Sequence, residues 1–138
     1  MESSIFFQPS KALGERRPEW AANTLGDNVA FHTNQGFPLL EGIKVAILGV
    51  LDDPGHAKPR GCVDAPDAVR AQLYKLFMPA NNLGIADLGD IHPGETPEDT
   101  RHALASTIAE LVRMNIVPVI LGGGQGHTFT QYLKKEKL

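Results

Sequence analysis

The 138-residue chain is predicted to fold as an α/β protein, three-layer α-β-α, with a mainly parallel sheet. Three observations predict it. Short apolar runs at 43–50, 83–91 and 116–121 read as strands, the first near-continuous and β-branched as in a strand buried on both faces, the second interrupted by glycine and aspartate. Each run ends in glycine, proline or aspartate, the punctuation of a strand tip that opens into a loop. Helical apolar spacing then resumes after each tip, giving the order β-α-β-α-β-α. Right-handed crossovers make such a sheet parallel, with helices covering it.

Residues 1–42 come before this pattern and are expected to be an irregular wrapping segment. Pro9, Pro18 and Pro38, with four glycines, interrupt periodicity, while Phe6, Phe7, Trp20, Phe31 and Phe37 are too apolar for a free linker. Residues 43–138 then form the α/β unit. Its first strand, Ile43 to Val50, leads into a Pro- and Gly-rich loop around His56, a candidate loop on the substrate side. Asp64 is expected to N-cap the next helix, with Pro66 in its first turn. Val69, Leu73, Leu76 and Phe77 are its expected buried stripe, and Pro79 and Asn81-Asn82 its stop.

The second strand, Leu83 to Ile91, ends in Asp87 and Asp90. Three residues apart in extended chain, they are expected on opposite faces, which disfavours a shared metal and favours turn roles. Thr96 is the expected N-cap of the following helix, with Pro97 at its first position and an acidic first turn. Leu104, Ile108, Leu111 and Val112 form its stripe, Asn115 ends it, and His92 and His102 are read as surface residues.

The third strand, from Ile116, runs into Gly122-Gly123-Gly124-Gln125-Gly126-His127. Three readings of this tip stand. It is a backbone nest for an anion, a site where Gln125 and His127 hold a metal or polar substrate, or a tight strand-to-helix turn. A third helix is expected through Phe129, Tyr132 and Leu133.

Composition narrows the function. A net charge of −3 with both signs interspersed leaves no nucleic-acid footprint and no polybasic membrane patch. No apolar stretch approaches the ~18 residues of a membrane span, and the first residues lack a signal-peptide pattern. The single cysteine, Cys62, allows no internal disulfide and suits a cytoplasmic location; it is read as a packing residue, not a nucleophile.

Four segments carry a resemblance. They are Lys44 to Val50, Gly61 to Arg70, Asp87-Leu-Gly-Asp90, and Val117-Pro-Val-Ile-Leu-Gly-Gly123 with its polar sequel. In this order the chain resembles the amino-terminal part of the ureohydrolase family: arginases, agmatinases and formiminoglutamases. The resemblance implies an arginase-like fold and, in a full-length parent, two manganese ions at the strand tips. It also implies a metal-bridging hydroxide that attacks the carbon of a small guanidino or formimino substrate.

Two departures accompany it. The family's loop histidine, a metal ligand, falls on Gln125 and the aspartate before it on Gly124, and amide oxygen is a poorer manganese ligand than imidazole with carboxylates. His127, two positions later, replaces it only if the loop is rebuilt. The family's Asp-x-His-x-Asp and Asp-x-Asp-x-x-Asp tips are absent from the chain. The expected function is thus an amino-terminal fragment of a ureohydrolase-like metallohydrolase, inactive and without cofactor in isolation. The alternative is a catalytically dead arginase-fold scaffold or binding module. Homo-oligomerisation through a sheet edge is a further expectation.

Overall fold

The computed structural model describes residues 1–11, 20–51, 61–78, 83–92 and 94–122. Within them, five strands form one sheet: β1 (Phe7–Gln8), β2 (Ala30–Phe31), β3 (Val45–Val50), β4 (Ile85–Ile91) and β5 (Val117–Leu121). The order is β1-β4-β3-β5, with β2 also pairing to β4. β3 runs parallel to both β4 and β5, β2 is parallel to β4, and only β1 is antiparallel. The sheet is mainly parallel, as the apolar runs predict. Its three long strands start one or two residues later than the sequence reading placed them.

The two extra strands come from the first 42 residues, so these are not irregular throughout. They also supply a four-residue helix, α1 (Leu25–Asn28), capped by the Thr24 hydroxyl. β1 and β2 occupy the outer edge of β4, where Phe7 is buried and Phe6 and Phe37 pack on the same core. Polar ties hold this arm. The Glu110 carboxylate accepts from the backbone N–H groups of Glu2 and Ser3, at 2.9 and 3.2 Å. The His32 backbone N–H donates to Asp87 O at 2.9 Å, and its ring Nδ1 lies 2.8 Å from Leu88 O.

Helix α3 (Pro97–Arg113) matches its sequence signals closely. Thr96 accepts from the Asp99 backbone N–H while the Asp99 carboxylate accepts from that of Thr96, a reciprocal capping box with Pro97 at the helix start. Leu104, Ile108 and Leu111 are fully buried, with Val112 partly so, against Ala46, Leu48, Val50, Ala86 and Leu88 of the sheet. Asn115, just past the helix, adopts φ +60°, the left-handed turn that ends many helices.

Helix α2 (Gly61–Leu73) covers the other face and departs from expectation. It begins three residues before Asp64, so Asp64 is not its N-cap, and Pro66 lies inside it. It also ends at Leu73, ahead of the expected stop at Pro79. The predicted stripe is not its buried face: Leu73 packs partly buried on the core, but Val69 is 43% exposed, and Leu76 and Phe77, 57% and 79% exposed, lie past the helix end. The buried positions are instead Pro66 and Arg70, with Tyr74 just past the helix end. The inward face of α2 is therefore polar at its centre. An apolar period marks the core side only when the core opposite is apolar, and here two carboxylates oppose it.

Candidate functional site

Those carboxylates belong to β4. In a regular strand, residues 87 and 90 point to opposite faces. β4 is not regular. Its register against β3 passes from Ile47↔Asp87 to Gly49↔Asp90, so one extra residue is inserted. Gly89 absorbs it at φ +89°, the conformation that glycine adopts at little cost in a bulge. Ala86 and Leu88 face the α3 side, yet after the bulge Asp90 joins Asp87 on the α2 side. The expectation of opposite faces is overturned, while the strand ends at Ile91, where the sequence reading places it.

Arg70 reaches down from α2 between them. Its Nε donates to Asp87 Oδ2 at 2.8 Å and its Nη2 to Asp87 Oδ1 at 2.9 Å, a two-pronged ion pair. Nη1 donates to Asp90 Oδ1 at 2.6 Å and to Asp67 Oδ1 at 3.2 Å, and Nη2 also reaches Gly89 O at 3.0 Å. The Tyr74 hydroxyl donates to Asp87 Oδ2, and the Gly89 N–H to Asp87 Oδ1 at 2.9 Å. Asp87 thus accepts four hydrogen bonds, the full capacity of a carboxylate. Ser10 donates to Asp67 Oδ1 at 2.7 Å, bringing the amino-terminal arm to the same cluster.

Room for this cluster comes from Gly49. A side chain there would overlap Asp90 Oδ1 and press on Pro66 Cβ. At Gly89 one would overlap Gln8 O of β1. Both glycines are thus required by close approach.

The electrostatics follow from burial. Burial alone would lower the pKa of Arg70, but Asp87 and then Asp90 outweigh it, and the guanidinium is held charged more firmly than usual. Burial, reinforced by the Asp87 charge, raises the Tyr74 hydroxyl well above its ordinary range. Asp90 is raised as well: burial leads, Arg70 opposes it, and the charges of Asp67 and Asp87 add to the rise. One guanidinium faces three carboxylates, and Asp90 holds it through a single oxygen, Oδ1.

Sequence reasoning does not single out Arg70 or Tyr74 as members of a site. The signal that could have found them is the spacing of Asp67, Arg70 and Tyr74, three to four apart on one helical face, opposite Asp-x-Gly-Asp. Of the predicted site residues, Gly122 is described: it follows β5 at φ +73° and is exposed. Gly123, Gly124, Gln125, His127 and His56 lie outside the described residues, as do the loop at 52–60 and the expected third helix. His92 and His102 are exposed, as expected.

Among the described residues, no group of three or more His, Cys, Asp or Glu side chains could hold a metal ion. Asp87 is saturated by Arg70, Tyr74 and Gly89, and Asp90 is pinned by Arg70. The described carboxylates do not fit a manganese pair.

A mainly parallel sheet between α2 and α3 defines an α/β protein of arginase-like architecture. The chain belongs to the arginase family, whose model matches residues 43–133. Formimidoylglutamase of Streptococcus gordonii is 33% identical over 100 residues, covering 68% of this chain and 30% of that protein. Its counterpart in Streptococcus pyogenes serotype M49 is 31% identical over 98 residues, covering 67% and 30%. The chain spans about 30% of the length of these curated relatives and matches the family's amino-terminal part.

Solved structures agree on the fold. Formimidoylglutamase of Bacillus subtilis superposes with a TM-score of 0.66 at 22% identity, over 91% of this chain and 42% of that one. Trypanosoma cruzi formiminoglutamase, solved with Mn2+, gives 0.59 at 22% identity over 72% and 37%. The agmatine ureohydrolase of Thermoplasma volcanium gives 0.60 at 22% identity over 81% and 38%.

Proposed function

We propose that this chain forms the amino-terminal part of a ureohydrolase-type metallohydrolase that cleaves linear C–N bonds in formimino or guanidino compounds. The observation that carries this reading is the family match over residues 43–133 together with the formimidoylglutamase relatives. Formimino compounds are the favoured substrate class, because the curated relatives of similar sequence carry that name. In this reading the parent uses two manganese ions, and the chain alone is inactive and binds manganese weakly or not at all. Gln125 and His127 are the positions proposed to approach that metal site.

The role of the described residues is structural support. Arg70 fastens α2 to the carboxyl end of β4 and fixes the bulge at Gly89, next to the strand tips where open α/β sheets place their ligands. Among the described residues no helix is long and apolar enough to cross a membrane. A cytoplasmic location, a small-molecule substrate and a homo-oligomeric parent complete the proposal.

The test is direct. The purified chain is incubated with manganese and formiminoglutamate, arginine or agmatine, and release of formamide or urea is followed. No release is expected. Turnover abolished by a chelator would refute inactivity in isolation while supporting the family chemistry.

One observation favours a second reading, a catalytically dead arginase-fold scaffold or binding module. Gln125 stands where the resemblance implies an imidazole ligand. Metal analysis of any longer protein containing this chain separates the two: about two manganese ions per chain support the hydrolase, and none supports the scaffold.

A further inference from the structure

The outer edge of β4, away from β3, changes partner at its bulge. Before the bulge, Ala86 and Asp87 pair in parallel with Ala30 and Phe31 of β2. After it, Asp90 and Ile91 pair with Gln8 and Phe7 of β1, which runs the opposite way. Between these two stretches the His32 ring Nδ1 lies 2.8 Å from Leu88 O. Gln8 O occupies the space in which Gly89 would carry a side chain, and His32 Nδ1 borders it. A bulge leaves its extra residue out of the ladder and disrupts pairing locally. Here the outer partners close around that gap. Both come from residues 1–42, ahead of the segment 43–133 that matches the arginase family.

The first ten residues also join the two helical layers. Glu2–Phe6 form a 3-10 helix, and the N–H groups of Glu2 and Ser3 at its start donate to the two oxygens of Glu110 on α3. A carboxylate is favoured at that end of a helix. Phe6 meets the His102 ring of α3 edge to face at 6.5 Å, and Phe7 is buried in the core on that side. By Ser10 the chain has passed round the β4 edge to α2. Ser10 is 2% exposed and donates at 2.7 Å to Asp67 Oδ1, the oxygen that also accepts from Arg70 Nη1. Residues 1–10 thus run from one face of the sheet to the other, with a carboxylate holding each end.

We infer that residues 1–10 are a clasp whose docking selects the bulged form of β4. Docked, β1 pairs with Asp90 and Ile91 and seats Gln8 O against Gly89. Asp90 then stays on the α2 side, where Arg70 Nη1 reaches its Oδ1 at 2.6 Å. Undocked, the outer edge beyond Leu88 has lost its partner and the inserted residue its support, so Gly89 and Arg70 loosen with the arm. The clasp, the bulge and the Arg70 cluster therefore open as one unit, separately from β3 and α3. Opening in contiguous cooperative units of this kind is how native proteins fluctuate short of global unfolding. The coupling concerns the arm and not catalysis, so it stands or fails independently of the proposed hydrolase activity.

Hydrogen exchange in the 138-residue chain tests the coupling. The Phe7 N–H, bonded to Ser4 O, follows the clasp. The Gly89 N–H, bonded to Asp87 Oδ1, follows the bulge, and the Arg70 Nε–H, bonded to Asp87 Oδ2, follows the ion pair. Glu110→Ala removes the tie on the α3 side, across the sheet from Arg70. These protons are expected to exchange about fivefold faster or more, by one common factor to within about twofold. The amides of Ile47 and Ile108 are expected to change by less than about twofold. Ser10→Ala, at the other end of the clasp, is expected to move the same protons together. Glu110→Gln, which keeps one acceptor oxygen, is expected to give a smaller shift of the same set. Faster exchange at Phe7 without Gly89 and Arg70, no change in any variant, or equal quickening at Ile47 and Ile108 overturns the inference.

Discussion

The Arg70 guanidinium and the Asp87 carboxylate meet edge to edge across the interface between α2 and β4, at 2.8 and 2.9 Å, each side chain with 2% of its surface exposed. Removing one member leaves the other charged and buried. Arg70→Ala or Asp87→Ala is therefore expected to cost about 3–5 kcal/mol, measured as a fall in the urea midpoint of unfolding. Arg70→Lys is expected to recover little, since an ammonium cannot make the paired contact with Asp87 while also reaching Asp90.

Tyr74→Phe tests the hydroxyl alone. Asp87 keeps both bonds from Arg70 and the one from Gly89, so the loss is smaller, about 1–3 kcal/mol. Phenylalanine keeps the ring that packs on Trp20 and Phe31, so a loss as large as that of Arg70→Ala would mean that Arg70 and Gly89 cannot hold Asp87 without the hydroxyl.

Gly89→Ala strains a backbone at φ +89° and overlaps Gln8 O in β1. We expect at least about 1–3 kcal/mol of destabilisation. Amide exchange should quicken in β1 and around Asp90 before it does in α3. Uniform quickening across the chain would show that the bulge is not a local determinant.

Asp90 gives a pH signature. Its pKa is raised in the folded chain by burial, against the pull of Arg70 and with the charges of Asp67 and Asp87 adding. Between the ordinary aspartate value, about 3.9, and the raised one, the folded state holds a proton that the unfolded state has released. Stability contributed by this group therefore falls as pH rises through that window. Asp90→Asn is expected to remove this fall, seen by comparing urea midpoints of the two proteins at several pH values. Parallel curves for variant and parent would refute it.

Thr96→Ala removes one side of the capping box on α3 and is expected to cost about 1 kcal/mol. Thr96→Asp should restore most of it. No recovery with aspartate would mean that Thr96 acts through packing and not through the Asp99 N–H.

What could be read from the chain itself is what depends on near neighbours in sequence. The apolar runs locate β3, β4 and β5, because a strand set into a core needs apolar residues on the face it buries. Thr96, Pro97 and Asp99 specify the start of α3 through bonds that span three residues, and Asn115 its end through its own φ. The resemblance borne by 43–132 likewise identified the family. Only the tertiary structure decided which way α2 faces and where Asp87 and Asp90 point. The apolar period Val69-Leu73-Leu76-Phe77 marks a helix but runs past its end at Leu73 and misses the centre of its buried face, since the core opposite is a pair of carboxylates that requires Arg70. That pairing exists because one residue, Gly89, is inserted against β3. A two-residue period read along the strand cannot register an insertion defined by its neighbour.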